Sequence, residues 1–126
     1  MKTWTIIYRP PYSAWFGKCR EELQNEILAH IEVLKTVGPH LGRPRVDHMK
    51  GSMHQNMKEL RVQFKGDPVR ILFAFDPDRR AVLFLGGTKT GDDRWYRKHV
   101  PLADQDFLLH LQEMQQEKKQ QKEKTR

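Results

Sequence analysis

Apolar side chains recur at alternate positions in the stretch MKELRVQFKGDPVRILFAF, residues 57–75, and cations stand among the polar residues between them. Alternation with a period of two is typical of a β-strand with one apolar face, so Arg61, Gln63 and Lys65 share the polar face of one strand. Arg70 falls on the polar face of the next strand. The planar fork of arginine can hold two phosphate oxygens, whereas cations that face one another across a sheet repel. The pattern therefore indicates a face that binds phosphate groups.

The turn between the two strands decides which residues face each other. With Gly66–Asp67 at its centre, Gln63 lies opposite Arg70, and Arg61 is their neighbour on the same face. Glu59 can pair with Arg61, but no carboxylate is expected to neutralise every cation on this face. The alternative is a solvated face with scattered charges. A bound phosphate explains the cluster better, because it removes the repulsion between the cations.

A third strand extends this polar face. If Asp76 pairs with Ala81 across the following turn, Arg70 lies opposite Gly87 and Lys89 lies at the far end of the same face. The residues of the third strand that share the face of Arg70 are then Leu83, Leu85, Gly87 and Lys89.

Residues next to this face could contact a bulky ligand. Gly86 and Gly87 are expected to leave bare backbone there, which allows a close approach. Trp95 and Tyr96 follow in the segment DDRWYRKH. We predict that Trp95 belongs to the core, and that Tyr96 either stacks on a nucleic-acid base or lies at the rim of the site.

Apolar periodicity predicts the elements that hold these side chains. WTIIY, residues 4–8, reads as a short strand that the following prolines stop. An apolar stripe then predicts one helix, or two helices with a break near Gly17, with Ser13 as the N-cap. The stripe consists of Phe16, Cys19, Leu23, Ile27, Ile31 and Leu34. Residues 38–56 show no clear period and read as a long loop, a feature that is often functional.

Three strands and a helix follow this loop. The strands are predicted at residues 58–65, 69–76 and 81–89. The last helix begins near Leu102. The order β-α(α)-β-β-β-α predicts the α+β class, with a small, mainly antiparallel sheet packed by N-terminal and C-terminal helices. We predict one domain over residues 1–112 and a charged, frayed tail over residues 113–126.

The 126-residue chain carries a net charge of +7 and has an isoelectric point of about 9.7. The tail EKKQQKEKTR holds five cations and two anions, which leaves +4 for the body. Such an excess points to a polyanionic partner. Cys19 is the only cysteine and cannot form an internal disulfide. No apolar run approaches the roughly 18 residues that cross a membrane. We expect a soluble, cytoplasmic protein that does not engage a membrane.

Two stretches, GPHLGRPRV and MKELRVQFKGDPVRILFAFDPDRRAVLFLGGTKTGDDRWY, resemble the phage-derived, HigB-like branch of the RelE/ParE toxin superfamily. The resemblance covers roughly residues 3–110, and ELR, RILFAF and LGGTK are its most specific parts. It implies a RelE-like fold and a toxin of a type II toxin–antitoxin system. RelE-like members cleave messenger RNA on the ribosome without a metal or cofactor. The implied partners are therefore a helix-turn-helix antitoxin, the ribosome and mRNA.

The resemblance also implies which residues form the site. By position, the catalytic set is Arg61, Arg70, Lys89 and Tyr96. Further contacts to RNA or phosphate are expected from Gln63, Lys58, Lys65, Arg94 and His99, and no metal ligands are expected. Gln63 stands where RelE-like toxins carry a cation, and no histidine matches the one that HigB proteins place close to the C-terminus. The general base stays open among Glu59, His99 and Lys89.

The implied reaction is an internal transfer within RNA. The ribose 2′-OH attacks the adjacent phosphate and leaves a 2′,3′-cyclic phosphate and a 5′-OH, while Arg70 stabilises the added charge. Two alternatives share the basic character of the chain. One is a DNA gyrase inhibitor of the ParE type, and the other is a basic phage protein that binds nucleic acid without catalysis. Cleavage of RNA would distinguish the RNA-cleaving toxin from both alternatives.

Overall fold

A computed structural model describes residues 3–89 and 93–124 of the chain. Its elements in chain order are β1 (Thr5–Tyr8), α1 (Pro10–Lys18), α2 (Glu21–Val37), a 3₁₀ turn (Gly38–His40), β2 (Val46–His48), β3 (Lys58–Phe64), β4 (Asp67–Phe75), β5 (Arg80–Thr88) and α3 (Arg94–Lys124). The predicted α+β class is confirmed. Strand β2 lies inside the stretch expected to be a loop, because three residues are too few to show a period.

The five strands form one sheet in the order β1-β5-β4-β3-β2. Strands β2 to β5 pair with their neighbours in antiparallel fashion, and β1 runs parallel to β5. Antiparallel neighbours can be joined by tight turns, whereas parallel ones need a long crossover connection. The sheet is therefore mainly antiparallel, as predicted, with one parallel edge.

Helix α1 begins at its prolines. Pro10 is the first helical residue, and Arg9 occupies the extended position before it. A fixed φ and a missing N–H both suit the first turn of a helix, so the same prolines end β1 and start α1. The predicted N-cap at Ser13 is therefore wrong. The stripe does lie on two helices, and the break falls at Cys19–Arg20, slightly after Gly17.

Helix α2 supplies the core on one face of the sheet. The predicted stripe is confirmed, since Ile27, Ile31 and Leu34 are at most 3% exposed. They belong to one cluster with Leu60 of β3. Full burial of such a side chain contributes about 1.5–3 kcal/mol. Because neighbouring strand residues point to opposite faces, the same packing directs Arg61 away from α2.

Helix α3 covers the opposite face. Trp95 and Phe107 are buried in the core beneath it, and Met114 is the last buried residue of its described part. The helix then continues, exposed, to Lys124, while residues 125–126 lie outside the described part. The separation of a tail from the domain stays a prediction. Within residues 3–89 and 93–124, no helix combines the length and the apolar character needed to cross a membrane.

An extra residue interrupts the pairing of β4 with β5. Leu72 pairs with Leu85, but Phe73 pairs with Leu83, so Phe84 has no direct partner. Phe84 and Leu85 consequently both join the core beneath α3, whereas Leu83 joins the core on the α2 side. The predicted placement of Leu83 on the polar face is therefore wrong.

A buried carboxylate ties the β4–β5 turn to α3. Asp76 Oδ2 lies 2.9 Å from His110 Nε2 and accepts a hydrogen bond of 2.9 Å from Arg80 Nε. The predicted pairing of Asp76 with Ala81 is wrong, because Ala81 pairs with Phe75. Burial opposes ionisation of Asp76, but the hydrogen bonds from His110 and from the backbone and side chain of Arg80 outweigh it. Its pKa is therefore below the ordinary value of 3.8.

We expect Asp76→Asn to lower the free energy of unfolding at pH 7 by about 1–3 kcal/mol, because buried hydrogen-bond donors lose a charged acceptor. A lowered folded pKa gives stability that is present above the ordinary pKa and lost as the pH falls through the folded value. The difference between wild type and Asp76→Asn should therefore narrow below about pH 4. Urea unfolding at pH 7 and pH 3 measures both. The control is Asp78→Asn, an exposed residue of the same turn, and a difference that stays constant with pH contradicts the expectation.

Candidate functional site

Two arginines face each other directly across β3 and β4. Arg61 pairs with Arg70, whereas Gln63, which was predicted opposite Arg70, pairs with Pro68. The turn is centred on Lys65–Gly66, where both residues have positive φ, as a type I′ turn requires. The predicted pairing is thus wrong by two residues. An even shift keeps every side chain on its predicted face, so the cationic face itself is retained.

The buried carboxylate of Glu59 lies between these arginines and α3. Its Oε1 accepts a hydrogen bond of 3.0 Å from Arg61 Nε, and its Oε2 accepts one of 2.7 Å from the hydroxyl of Tyr96. Oε2 also lies 3.7 Å from Arg70 Nε. The residue is 2% exposed. One carboxylate therefore contacts both arginines and the aromatic residue predicted for the site.

A second carboxylate adds to this neutralisation. Asp47 Oδ2 lies 3.6 Å from Arg61 Nη2 and 3.0 Å from Arg43 Nη2. Carboxylates thus contact both arginines of this face, which goes beyond the expected pairing of Glu59 with Arg61. The signal was present in the sequence, since Glu59 stands two residues before Arg61 and so shares its face. The contact between Glu59 and Arg70 could not be predicted from the sequence, because it depends on how β3 pairs with β4.

The protonation of these groups follows from their contacts. Burial raises the pKa of Tyr96, the hydrogen bond to Glu59 raises it further, and Arg70 opposes the change. Tyr96 therefore stays a neutral phenol whose hydroxyl donates a hydrogen bond to Glu59. The hydrogen bond to Glu59 likewise raises the pKa of Arg61, which stays a cation. The cluster is thus a carboxylate that accepts hydrogen bonds from a phenol and a guanidinium, with a second guanidinium beside it.

A cavity of about 650 Å³ opens beside this cluster. It is lined by residues of β3, of the β2 segment and of the first turns of α3, among them Glu59, Arg61, Lys89, Tyr96, Arg97 and Pro101. The backbone N–H of Lys89 donates to the carbonyl of Pro68 at 2.8 Å, as the predicted position of Lys89 requires. Lys89 Nζ lies 5.1 Å from the centre of the Tyr96 ring. One face of that ring is therefore covered by a cation.

The two glycines of β5 serve the protein's own packing. The predicted pairing of Arg70 with Gly87 is confirmed. However, a Cβ on Gly87 would lie 2.8 Å from Trp95 Nε1, and one on Gly86 would lie 2.3 Å from the ring of Trp15. The expectation of bare backbone open to a ligand is therefore wrong, because a tryptophan covers each glycine. Trp95 is 7% exposed, so its predicted place in the core is confirmed.

Four residues predicted to contact RNA lie away from the cavity: Lys58, Lys65, Arg94 and His99. Lys58 has its Nζ over the Phe75 ring, and burial lowers its pKa. Lys65 forms an exposed ion pair with Glu22. Arg94 is exposed at the start of α3. His99 stacks on Trp95, and its Nδ1 lies 2.7 Å from the carbonyl of Trp95. Their contacts to RNA stay predictions.

The fifth residue predicted to contact RNA, Gln63, also lies outside the lining of the first cavity. It lines a second cavity of about 520 Å³, together with Arg61 and Arg70. Its side chain is exposed. Among the residues that the structure describes, His, Cys, Asp and Glu side chains form no group of three or more that could hold a metal ion.

Comparison with known proteins places this arrangement in a family. A family model described as phage-derived protein Gp49-like (DUF891) matches residues 14–108. The chain belongs to this Gp49-like family. It is 45% identical over 101 residues to "Putative toxin HigB3" of Mycobacterium tuberculosis, across 79% of this chain and 87% of that protein. The predicted membership of the phage-derived, HigB-like branch of toxins is thereby confirmed.

A second relative from the same organism, "Putative toxin HigB2", is 44% identical over 108 residues. The match covers 84% of this chain and 54% of that protein. The chain of this Gp49-like protein therefore spans about half the length of that relative. The matched family region contains the arginine pair, Glu59, Lys89 and Tyr96.

We expect Glu59→Ala to destabilise the protein by about 2–3 kcal/mol, because it removes the charged acceptor between two opposed arginines. Inorganic phosphate should then bind in its place and raise the melting temperature of this variant more than that of wild type. Thermal unfolding with increasing phosphate measures both effects. Glu22→Ala, which removes a carboxylate from an exposed ion pair with Lys65, is the control. An equal response of all three proteins to phosphate contradicts the expectation.

Proposed function

We propose that this protein is the toxin of a type II toxin–antitoxin system and acts as an endoribonuclease on messenger RNA. The observation that carries the proposal is the directly opposed pair Arg61 and Arg70, bridged by Glu59. Arg61 and Glu59 lie at the wall of a cavity that Lys89 and Tyr96 also line. A pair of cations with one carboxylate between them can exchange that carboxylate contact for a phosphate. The HigB-like relatives support the toxin assignment.

The arginines supply the binding of the reacting phosphate. The side chain of Arg61 is 38% exposed and that of Arg70 is 12% exposed, so Arg61 reaches solvent and Arg70 is largely buried. Arg70 Nη1 donates to the carbonyl of Val69 at 3.0 Å, which fixes the plane of its guanidinium. A fixed donor costs no reorganisation when charge develops on the phosphate. Arg70 therefore stabilises the phosphorane, and Arg61 orients the same phosphate.

Glu59 and Tyr96 supply the base. Glu59 is almost wholly buried, so a ribose hydroxyl reaches its proton-accepting oxygen through Tyr96. The 2′-OH gives its proton to the Tyr96 oxygen as the phenolic proton passes to Glu59. The 2′-oxygen then bonds to phosphorus and the bond from phosphorus to the 5′-oxygen breaks. Lys89 protonates that leaving oxygen, which yields a 2′,3′-cyclic phosphate and a 5′-OH.

The position of Lys89 links the stacking of a base on Tyr96 to the protonation of the leaving 5′-oxygen. In the free protein its ammonium lies over the ring of Tyr96. A base that stacks on this face takes the place of the ammonium. Lys89 then turns toward the leaving oxygen, so substrate binding itself places the general acid.

The partners proposed for this activity are the ribosome, its mRNA and a helix-turn-helix antitoxin. The +7 charge of the chain supports a polyanionic target. An acidic antitoxin segment would complement the same surface.

We expect Arg70→Ala to slow RNA cleavage by about 10²–10³-fold, by analogy with the loss of one oxyanion donor. Arg70→Lys keeps the charge but loses the planar fork, so it should also be slow. Expression in a bacterial host, with mapping of new 5′ ends on an abundant mRNA, measures this. Lys18→Ala, which removes an exposed cation from α1, is the control. Growth arrest with intact mRNA, together with signs of DNA damage, would overturn the nuclease in favour of a gyrase inhibitor.

We expect Tyr96→Phe to slow cleavage by about 10²-fold or more, because it keeps the aromatic ring but breaks the path from the 2′-OH to Glu59. The rate of cleavage of a short RNA by purified protein and ribosomes measures this. A variant as fast as wild type would mean that Tyr96 only stacks, and that Glu59 is not reached through it.

A further inference from the structure

The second cavity shares its wall with the first. It is lined from the sheet by Arg61, Gln63 and Arg70, from α2 by Glu26 and His30, and from the segment before β2 by Arg45. Arg61 lines both cavities. Arg61 therefore stands between two concave spaces, with Arg70 on the side of the second cavity, and a chain bound across Arg61 has a place to enter on either side.

The edge of the sheet opens this second space. Strand β2 pairs with β3 only from His48 to Val46, and Val46 lies opposite Leu60. The backbone N–H of Arg61 still donates to the carbonyl of Arg45 at 2.7 Å, just before β2. Gln63 lies beyond the part of β3 that pairs with β2, and it is exposed. Its amide can thus face a ligand at the sheet edge.

The lining offers both donors and acceptors. Gln63 has an amide that can donate and accept, and Glu26 has a carboxylate that accepts. His30 Nε2 lies 3.6 Å from Glu26 Oε1, while its buried Nδ1 has no hydrogen-bond partner in the described part of the chain. Burial and the neighbouring Arg45 lower the pKa of His30, so its ring is neutral at pH 7. A neutral ring, an amide and a carboxylate suit the mixed polar edge of a nucleobase better than a second phosphate, which needs donors alone.

We propose that this second cavity is a base-reading subsite for the nucleotide on the side of the cleaved phosphate opposite to the nucleotide at Tyr96. The inference rests on the proposed nuclease function. Arg61 and Arg70 hold the phosphate between the two nucleotides. Gln63 and Glu26 hydrogen-bond the base edge from opposite walls, and Arg45 lies where it can meet the next phosphate. Gln63 is therefore a specificity-determining residue.

The test is the base preference around the cut, obtained from the mapped 5′ ends of a randomised RNA library. Wild type should show a preference at one position flanking the cut, and Gln63→Ala should weaken it by about tenfold. Glu26→Gln, on the opposite wall of the same cavity, should change the preference at that same position. Asn25→Ala is the matched control, since Asn25 is an exposed residue of α2 outside the cavity lining.

The outcomes separate the subsite from the nuclease. If wild type cleaves and both variants keep its preference, the subsite is wrong and the nuclease stands. The subsite is also wrong if the two variants act at different positions, or at the nucleotide 5′ of the cut, whose 2′-OH gives its proton to Tyr96 in the proposed reaction. If wild type leaves RNA intact in the presence of ribosomes, the proposed function fails, and the subsite fails with it.

Discussion

The carboxylate of Glu59 is the constraint on which the site depends. Two guanidinium groups directly opposite each other on neighbouring strands repel, and an anion beside them offsets that repulsion. Glu59 provides that anion from the same face of β3. Because it also accepts the hydroxyl of Tyr96, the same carboxylate joins α3 to the sheet. The carboxylate that offsets the charge of the arginines is thus the same one that holds α3 against the sheet.

Packing on the two faces of the sheet fixes the space around this carboxylate. Helix α2 holds the apolar side of β3, which leaves the polar side free. Glycine at 87 lets Trp95 approach β5 closely, and the ring of Trp95 packs edge to face against the ring of Tyr96. The loop before β3 is held from below, since Asp104 accepts hydrogen bonds from Ser52 Oγ at 2.5 Å and from the N–H of Met53 at 2.8 Å. These contacts join the loop before β3 to α3.

The free site is balanced in charge at its centre, although the whole chain carries +7. A ligand phosphate must compete with Glu59 and Asp47 for the arginines. A diffuse polyanion gains little from such a site, because the cations are already paired. On the proposed function, an RNA whose phosphate reaches both arginines, and whose ribose reaches Tyr96, would make contacts that a non-specific polyanion does not. Internal neutralisation of the arginines would then favour the reacting geometry.

Which residues share a face is already encoded in the local sequence. The alternation in β3 and β4 and the stripe on α2 are local properties, set by the two-residue period of a strand and the 3.6-residue period of a helix. The cationic face and the core were readable for that reason. Arg70 was placed opposite Gly87 although the assumed pairing of Asp76 with Ala81 was wrong, because the extra residue at Phe84 offsets that error of one residue.

Which residues meet across those faces depends on the fold in three dimensions. The positive φ of Lys65 moved the turn by one residue and the pairing by two, so that Arg61 rather than Gln63 faces Arg70. The contact between Glu59 and Tyr96 joins residues that are 37 positions apart. Such pairs depend on turn conformation and on the docking of α3, and neither leaves a period in the sequence. The local sequence set the faces of β3 and β4, but it did not show the extra residue that puts Leu83 on the other face of β5, nor the contacts across the faces.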